Sequence, residues 1–292
     1  MVRRNPRIRA SKNTSVPVLI YYLLGAALVA YFVAMVLLWR FQERVVFQPP
    51  RPVPDPAGAV KVAYTASDGV ALHAFVVGDC AKSSFVILAF HGNADLAAWL
   101  VPWASRAARE TGACVILPEY RGYGGLRGPP TYDGVTLDAQ AALGFVREQL
   151  GVPPSRTVYF GHSLGSAVAA ELAEAAEPRA LVLQSPFSSA RAMANRMLMP
   201  GLGGLWALVS RVHYDTIRRV RAIRAPVSVA HGDRDLVIPV RMGQEVFDAA
   251  PQRGELLVVP GAGHNDVDEI GQALYWDWLR RACQARPVAM TL

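Results

Sequence analysis

The chemistry in this 292-residue sequence is concentrated in one turn, Tyr159-Phe160-Gly161-His162-Ser163-Leu164-Gly165-Ser166. The apolar run from Thr157 to Phe160 reads as a buried strand. The alanine-rich segment from Ser166 to Ala176 reads as a helix. Between them lies G-x-S-x-G, the spacing that puts a serine on a sharp strand-to-helix turn. A hydroxyl held clear of its neighbours and next to a base is a nucleophile. The flanking Gly161 and Gly165 leave room for close strand–helix approach, and the helix N-terminus directs N–H groups at developing negative charge. The implied chemistry is attack of Ser163 on an acyl carbonyl.

Such a serine needs a base, and the base needs an orienting acid. Of six histidines, His264 has the best address. It sits in the glycine-rich stretch Pro260-Gly261-Ala262-Gly263-His264-Asn265-Asp266, between the last strand and the last helix. Catalytic groups gather at the carboxyl ends of parallel strands. His73 falls inside an early strand, His91 and His231 each precede a glycine at a strand end, and His213 falls in a long insertion. The turn directs His162 elsewhere. The acid comes from His231-Gly232-Asp233-Arg234-Asp235-Leu236-Val237-Ile238-Pro239. Asp233 occupies a turn-forming position. Asp235 begins D-x-x-x-P, leads into the next element, and is favoured. Asp266 and Asp268 are read as capping or solvating the final helix. Phe90-His91-Gly92-Asn93-Ala94 ends an early apolar strand. The backbone N–H groups of Asn93 and Leu164 are the expected oxyanion donors. No metal or cofactor is required.

The elements around these residues alternate. Strands are expected over 60–65, 71–77, 85–90, 114–117, 157–160, 180–183, 226–230 and 256–259, and helices over 96–109, 135–150, 166–176, 242–250 and 266–282. Fully apolar strands separated by helices indicate an α/β fold, a mostly parallel sheet covered on both faces. About 40 residues, 185–225, interrupt the alternation and read as a small cap over the site. Within it, 193–209 is apolar but broken by Pro200, Gly201, Gly203 and Gly204.

An apolar content of 52 % can fill a sizeable core. The net charge of +7 is uneven: Arg3, Arg4, Arg7, Arg9 and Lys12 precede the first apolar run, and the remaining charges nearly balance. There is no basic, aromatic-laced face to suggest a nucleic-acid partner. Residues 18–39 carry no charge until the boundary Arg40, and as a helix they would span about 33 Å, enough for a bilayer. Residues 16–39 therefore read as an uncleaved signal anchor behind a cytoplasmic tail, 1–15. The charge bias puts the N-terminus in the cytoplasm and the large domain in the periplasm or a lumen. Residues 40–58, with five prolines, read as a semi-rigid stalk. The globular domain is expected over 59–282, followed by a short tail, 283–292. Cys114 reads as a buried thiol, and Cys80 and Cys283 are free to pair in an oxidising compartment.

FHGNA, EYRGYG, GHSLGS, HGDRDLVIP and GAGHND occur here in the order found in α/β-hydrolase-fold serine hydrolases. The sequence most resembles the single-span, membrane-anchored α/β-hydrolase-domain group, which includes lysophospholipase-like and protein-depalmitoylase-like enzymes. FQERVVFQPP, residues 41–50, also resembles that group. The resemblance implies Ser163 as nucleophile, Asp235 as acid and His264 as base, and gives Tyr120-Arg121-Gly122-Tyr123-Gly124 a structural part beside the site. The motifs are poorly specific for substrate; the short stalk and the apolar segment 193–209 point instead to a small-molecule or lipid acyl ester, or a thioester, of lipophilic character that enters from or near the bilayer. An acyltransferase, a serine peptidase and a non-catalytic membrane interaction module remain alternatives on the same scaffold.

Overall fold

The computed structural model describes residues 18–197 and 209–285. Eight strands form one sheet: β1 (Val60–Thr65), β2 (Ala71–Val77), β3 (Val86–Phe90), β4 (Cys114–Pro118), β5 (Thr157–His162), β6 (Ala180–Gln184), β7 (Val227–Gly232) and β8 (Arg253–Val259). Their order is β1-β2-β4-β3-β5-β6-β7-β8. The β1–β2 and β2–β4 pairs are antiparallel, and every other pair is parallel. Strands β3, β4 and β6 are buried at every residue, because helices cover both sheet faces.

The period-2 alternation of strands divides the core. Val86, Leu88 and Phe90 of β3 join one apolar cluster, and Ile87 and Ala89 join the other. The first cluster takes in α3 (Tyr132–Glu148), α4 (Leu164–Ala175), α6 (Thr216–Ala222) and α7 (Val240–Ala249). The second takes in α2 (Val101–Thr111) and α8 (Val267–Gln284). Helix α2 stops at Gly112, whose φ of 72° makes the left-handed cap that favours glycine. Helix α3 starts at Thr131, whose hydroxyl accepts the Gly134 N–H at 3.0 Å. Arg121, buried in the loop after β4, bonds Asp138 of α3 through Nε at 2.9 Å and Asp68 through a second guanidinium nitrogen at 2.6 Å. It thereby ties that loop to the edge of the domain.

The parallel-sheet alternation expected from sequence is present, with boundaries moved by at most three residues except at α2, which starts at Val101, five residues later than expected. Two expectations change, and a third, the cap, is described only in part. The first is the stalk. Helix α1 runs Val18–Val46, seven residues past the expected end, because Phe41 to Val46 continues with good helix formers and no proline before Pro49. Gln42 and Phe47 are then buried in the globular domain. Residues 47–56 form neither helix nor strand. The second is the cysteine pairing. Cys80 is joined to Cys114, 4.8 Å between Cα atoms, and Cys283 is the free, buried thiol. Cys80 follows β2 and Cys114 opens β4, its antiparallel neighbour, so sheet pairing brings them together, whereas Cys283 lies in α8. Burial pushes the Cys283 thiol up to about 12. The third is the cap. Its described parts are α5 (Ala190–Met197), residues 209–215 and α6. The Pro/Gly-broken stretch from 198 to 208 lies outside the described residues, as do both chain termini.

Candidate active site

Ser163 stands at the point where β5 ends and α4 begins, with φ 52° and ψ −116°. This is a strained conformation for a residue with a Cβ, and the surroundings enforce it. A Cβ on Gly161 would lie 2.2 Å from the Gly165 carbonyl oxygen, and one on Gly165 would lie 2.2 Å from the Phe90 carbonyl oxygen. Both glycines are required by backbone contact. The Ser163 N–H donates to the Gln184 carbonyl at 3.0 Å and its own carbonyl accepts the Ser166 N–H at 3.0 Å, which fixes the turn from both sides.

Two loops bring the partners of the serine. The loop after β8 brings His264 Nε2 within 2.9 Å of Ser163 Oγ. The loop after β7 brings Asp235 Oδ2 within 2.6 Å of His264 Nδ1. Asp235 Oδ1 accepts the Val237 and Ile238 N–H groups, both at 2.8 Å. Burial alone would raise the Asp235 pKa, but hydrogen bonds from His231 and His264 outweigh it and hold the carboxyl well below its usual range. Asp235 is therefore ionised and can only accept, so His264 carries its proton on Nδ1 and presents a bare Nε2 to the serine hydroxyl.

Asp233 does what a turn residue does. Its Oδ1 accepts the Gly261 N–H at 2.7 Å, bracing the loop that carries His264. Asp266 braces the same loop by accepting the Gly263 N–H at 2.6 Å. Among the described residues, neither the Asn93 nor the Leu164 N–H finds an acceptor within the chain, which leaves both donors open for an oxyanion. Gly92 packs against the serine: a Cβ there would lie 3.4 Å from Ser163 Cβ.

Sequence reasoning missed two histidines and an aspartate. His162 does not turn away from the site. It lies beside His264, ring centroids 5.2 Å apart, and its Nε2 donates to the His264 carbonyl at 3.2 Å. Burial, reinforced by the neighbouring His264 imidazole, pushes its pKa down to about 4. His231 is buried beneath Asp235, with Nε2 3.2 Å from Asp235 Oδ2 and 2.9 Å from the Ile238 carbonyl. Its one sequence signal was the H-G-D-x-D context. Asp268 lines the cleft instead of solvating α8, and burial raises its pKa.

The site opens into a cleft of about 710 Å³. Trp99, Leu100, Trp103 and Phe160 form an apolar wall, and Asp268 and Glu269 lie on its polar side. No group of three or more His, Cys, Asp or Glu side chains among the described residues could hold a metal ion.

Comparison with known proteins shows the family to which this fold belongs. Residues 86–208 match the α/β-hydrolase-fold family. An uncharacterized protein of Mycobacterium tuberculosis, Rv2307c, is 36 % identical over 265 residues, covering 87 % of this chain and 91 % of its own. The chain belongs to the α/β-hydrolase family. Within that family, α/β-hydrolase domain-containing protein 17B of Xenopus laevis is 30 % identical over 200 residues, covering 67 % of this chain and 65 % of its own. Among solved structures, the Pyrococcus furiosus esterase Pf2001 superposes with a TM-score of 0.61 at 22 % identity, over 82 % of this chain and 96 % of that one. At that identity the likeness speaks for the fold.

Proposed function

We propose that this α/β-hydrolase is a membrane-anchored serine hydrolase that cleaves acyl ester or thioester bonds. The observation that carries the reading is the unbroken relay Ser163 Oγ–His264 Nε2 at 2.9 Å and His264 Nδ1–Asp235 Oδ2 at 2.6 Å. Ser163 attacks the acyl carbon as its proton passes to His264 Nε2. Asp235 stabilises the imidazolium, and the N–H groups of Asn93 and Leu164 hold the oxyanion. His264 then hands the proton to the leaving alcohol or thiol. Water, deprotonated by the same nitrogen, releases the acid and frees Ser163. The esterase named among the fold neighbours supports the ester class.

Helix α1 supports the membrane part. It is long and apolar enough to cross a bilayer, and its apolar side chains from Tyr21 to Val29 are exposed. The pairing of Cys80 with Cys114 supports a domain on the oxidising side, with the N-terminus in the cytoplasm. The tryptophan-rich wall of the cleft supports a lipophilic acyl group.

Fluorophosphonate labelling of the full-length protein, followed by a panel of acyl esters, thioesters, lysophospholipids and peptides, tests the reading. Labelling confined to Ser163 with turnover of esters supports it. Turnover of peptides alone would replace it with a peptidase.

A further inference from the structure

The segment that leaves the membrane helix does not merely connect. Phe47, the first residue past α1, is 2 % exposed and belongs to the main apolar cluster. The Gln48 N–H then donates to Asn93 Oδ1 at 2.9 Å and to the Tyr123 hydroxyl oxygen at 3.0 Å. The Tyr123 hydroxyl donates in turn to Asn93 Oδ1 at 2.9 Å. These three residues close a ring of hydrogen bonds on the side chain of Asn93, in the loop whose N–H is read above as an oxyanion donor. The attachment continues up the helix. Gln42 Oε1 accepts the Arg211 N–H at 2.7 Å, and Arg211 pairs with Glu43 at 3.3 Å.

The loop needs an external hold. Ala94, next to Asn93, has a φ of 52°, a left-handed conformation that is strained for a residue with a Cβ and persists only where neighbours over-determine it. A loop free to relax would let the Asn93 N–H drift from the position where charge develops, and donors of this kind act only when preorganised.

We infer that Gln48 and Tyr123 are positioning residues for the oxyanion loop, and that through them the end of the membrane helix is built into the geometry of the site. Neither touches the reacting atoms. They act through Asn93. The inference rests on the reading of Ser163, Leu164 and Asn93 given above.

The test uses the full-length protein in detergent, a soluble short-chain aryl ester, and active-site titration with a fluorophosphonate. The variants are Tyr123→Phe, Asn93→Ala and the double variant. Loss of the clamp is expected to lower kcat per titrated site about tenfold in each single variant, with KM within about twofold. The double variant should be no slower than the slower single one, since both remove the same clamp. An effect on folding alone would reduce the titrated fraction and leave kcat per site unchanged. Unchanged kcat in both single variants, or fully additive losses in the double, would overturn the inference. If the wild-type protein turned over ester without labelling at Ser163, the site reading beneath it would fall instead.

Discussion

Asp235 and His264, 29 positions apart, share a 2.6 Å hydrogen bond, while Asp233, two residues earlier, bonds the Gly261 backbone. Two carboxylates in one turn thus have separate tasks. Asp235→Asn should lower kcat by about 10⁴, because the amide favours the wrong imidazole tautomer. Asp233→Asn keeps an acceptor oxygen for Gly261 and should cost about tenfold or less. Steady-state kinetics of the two variants decide the matter; the reverse order of severity would exchange the roles.

The lowered pKa of His162 makes the fold sensitive to acid. Its folded value, about 4, lies below the unfolded reference of about 6.5. Between these values the unfolded chain binds more protons, so stability is lost as pH falls from about 6.5 to about 4. Asp235, also lowered, acts in the same direction further down: its contribution is present above the unfolded carboxylate value and disappears as pH falls toward the folded one. Thermal midpoints of wild type and His162→Gln from pH 7 to pH 4 should diverge, with the variant losing less. Parallel curves would show that His162 is not the group responsible.

Phe47→Ala should destabilise the protein by about 3–5 kcal/mol, the usual range for emptying a buried aromatic site. Phe41→Ala, at a position 39 % exposed, should cost far less. Chemical denaturation in detergent measures both. Equal, small effects would restore residues 40–48 to the part of a simple spacer. A truncated chain beginning at Arg51 should for the same reason fold poorly, although the proline content of 49–56 suggests a dispensable stalk.

The cysteines give a count. The native, unreduced protein should take up no maleimide, the denatured unreduced protein one, at Cys283, and the reduced denatured protein three. Mass spectrometry reads these numbers directly. Three labels without reduction would mean that Cys80 and Cys114 are thiols in the mature protein.

What was legible in the sequence was whatever local spacing dictates. Gly161 and Gly165 flag the elbow because a Cβ at either position would collide with a backbone carbonyl oxygen. The apolar runs of β3 to β7 flag a sheet buried on both faces. That Ser163, Asp235 and His264 meet was legible from their addresses at strand ends. What stayed hidden depends on contacts between distant segments. Gln48 meets Asn93 across 45 positions, Cys80 meets Cys114 through the β2–β4 pairing, and His231 reaches Asp235 from inside the core. No periodicity encodes such pairs. Helix α1 was misjudged at its end for a related reason: apolar content marks where a bilayer span stops, not where a helix stops.

The nucleophile is tested most directly by fluorophosphonate labelling of the full-length protein, with peptide mapping, beside Ser163→Ala. The expected result is a single adduct on Ser163, and a folded variant that neither labels nor turns over acyl esters. Adduct formation or ester turnover persisting in Ser163→Ala would contradict the assignment.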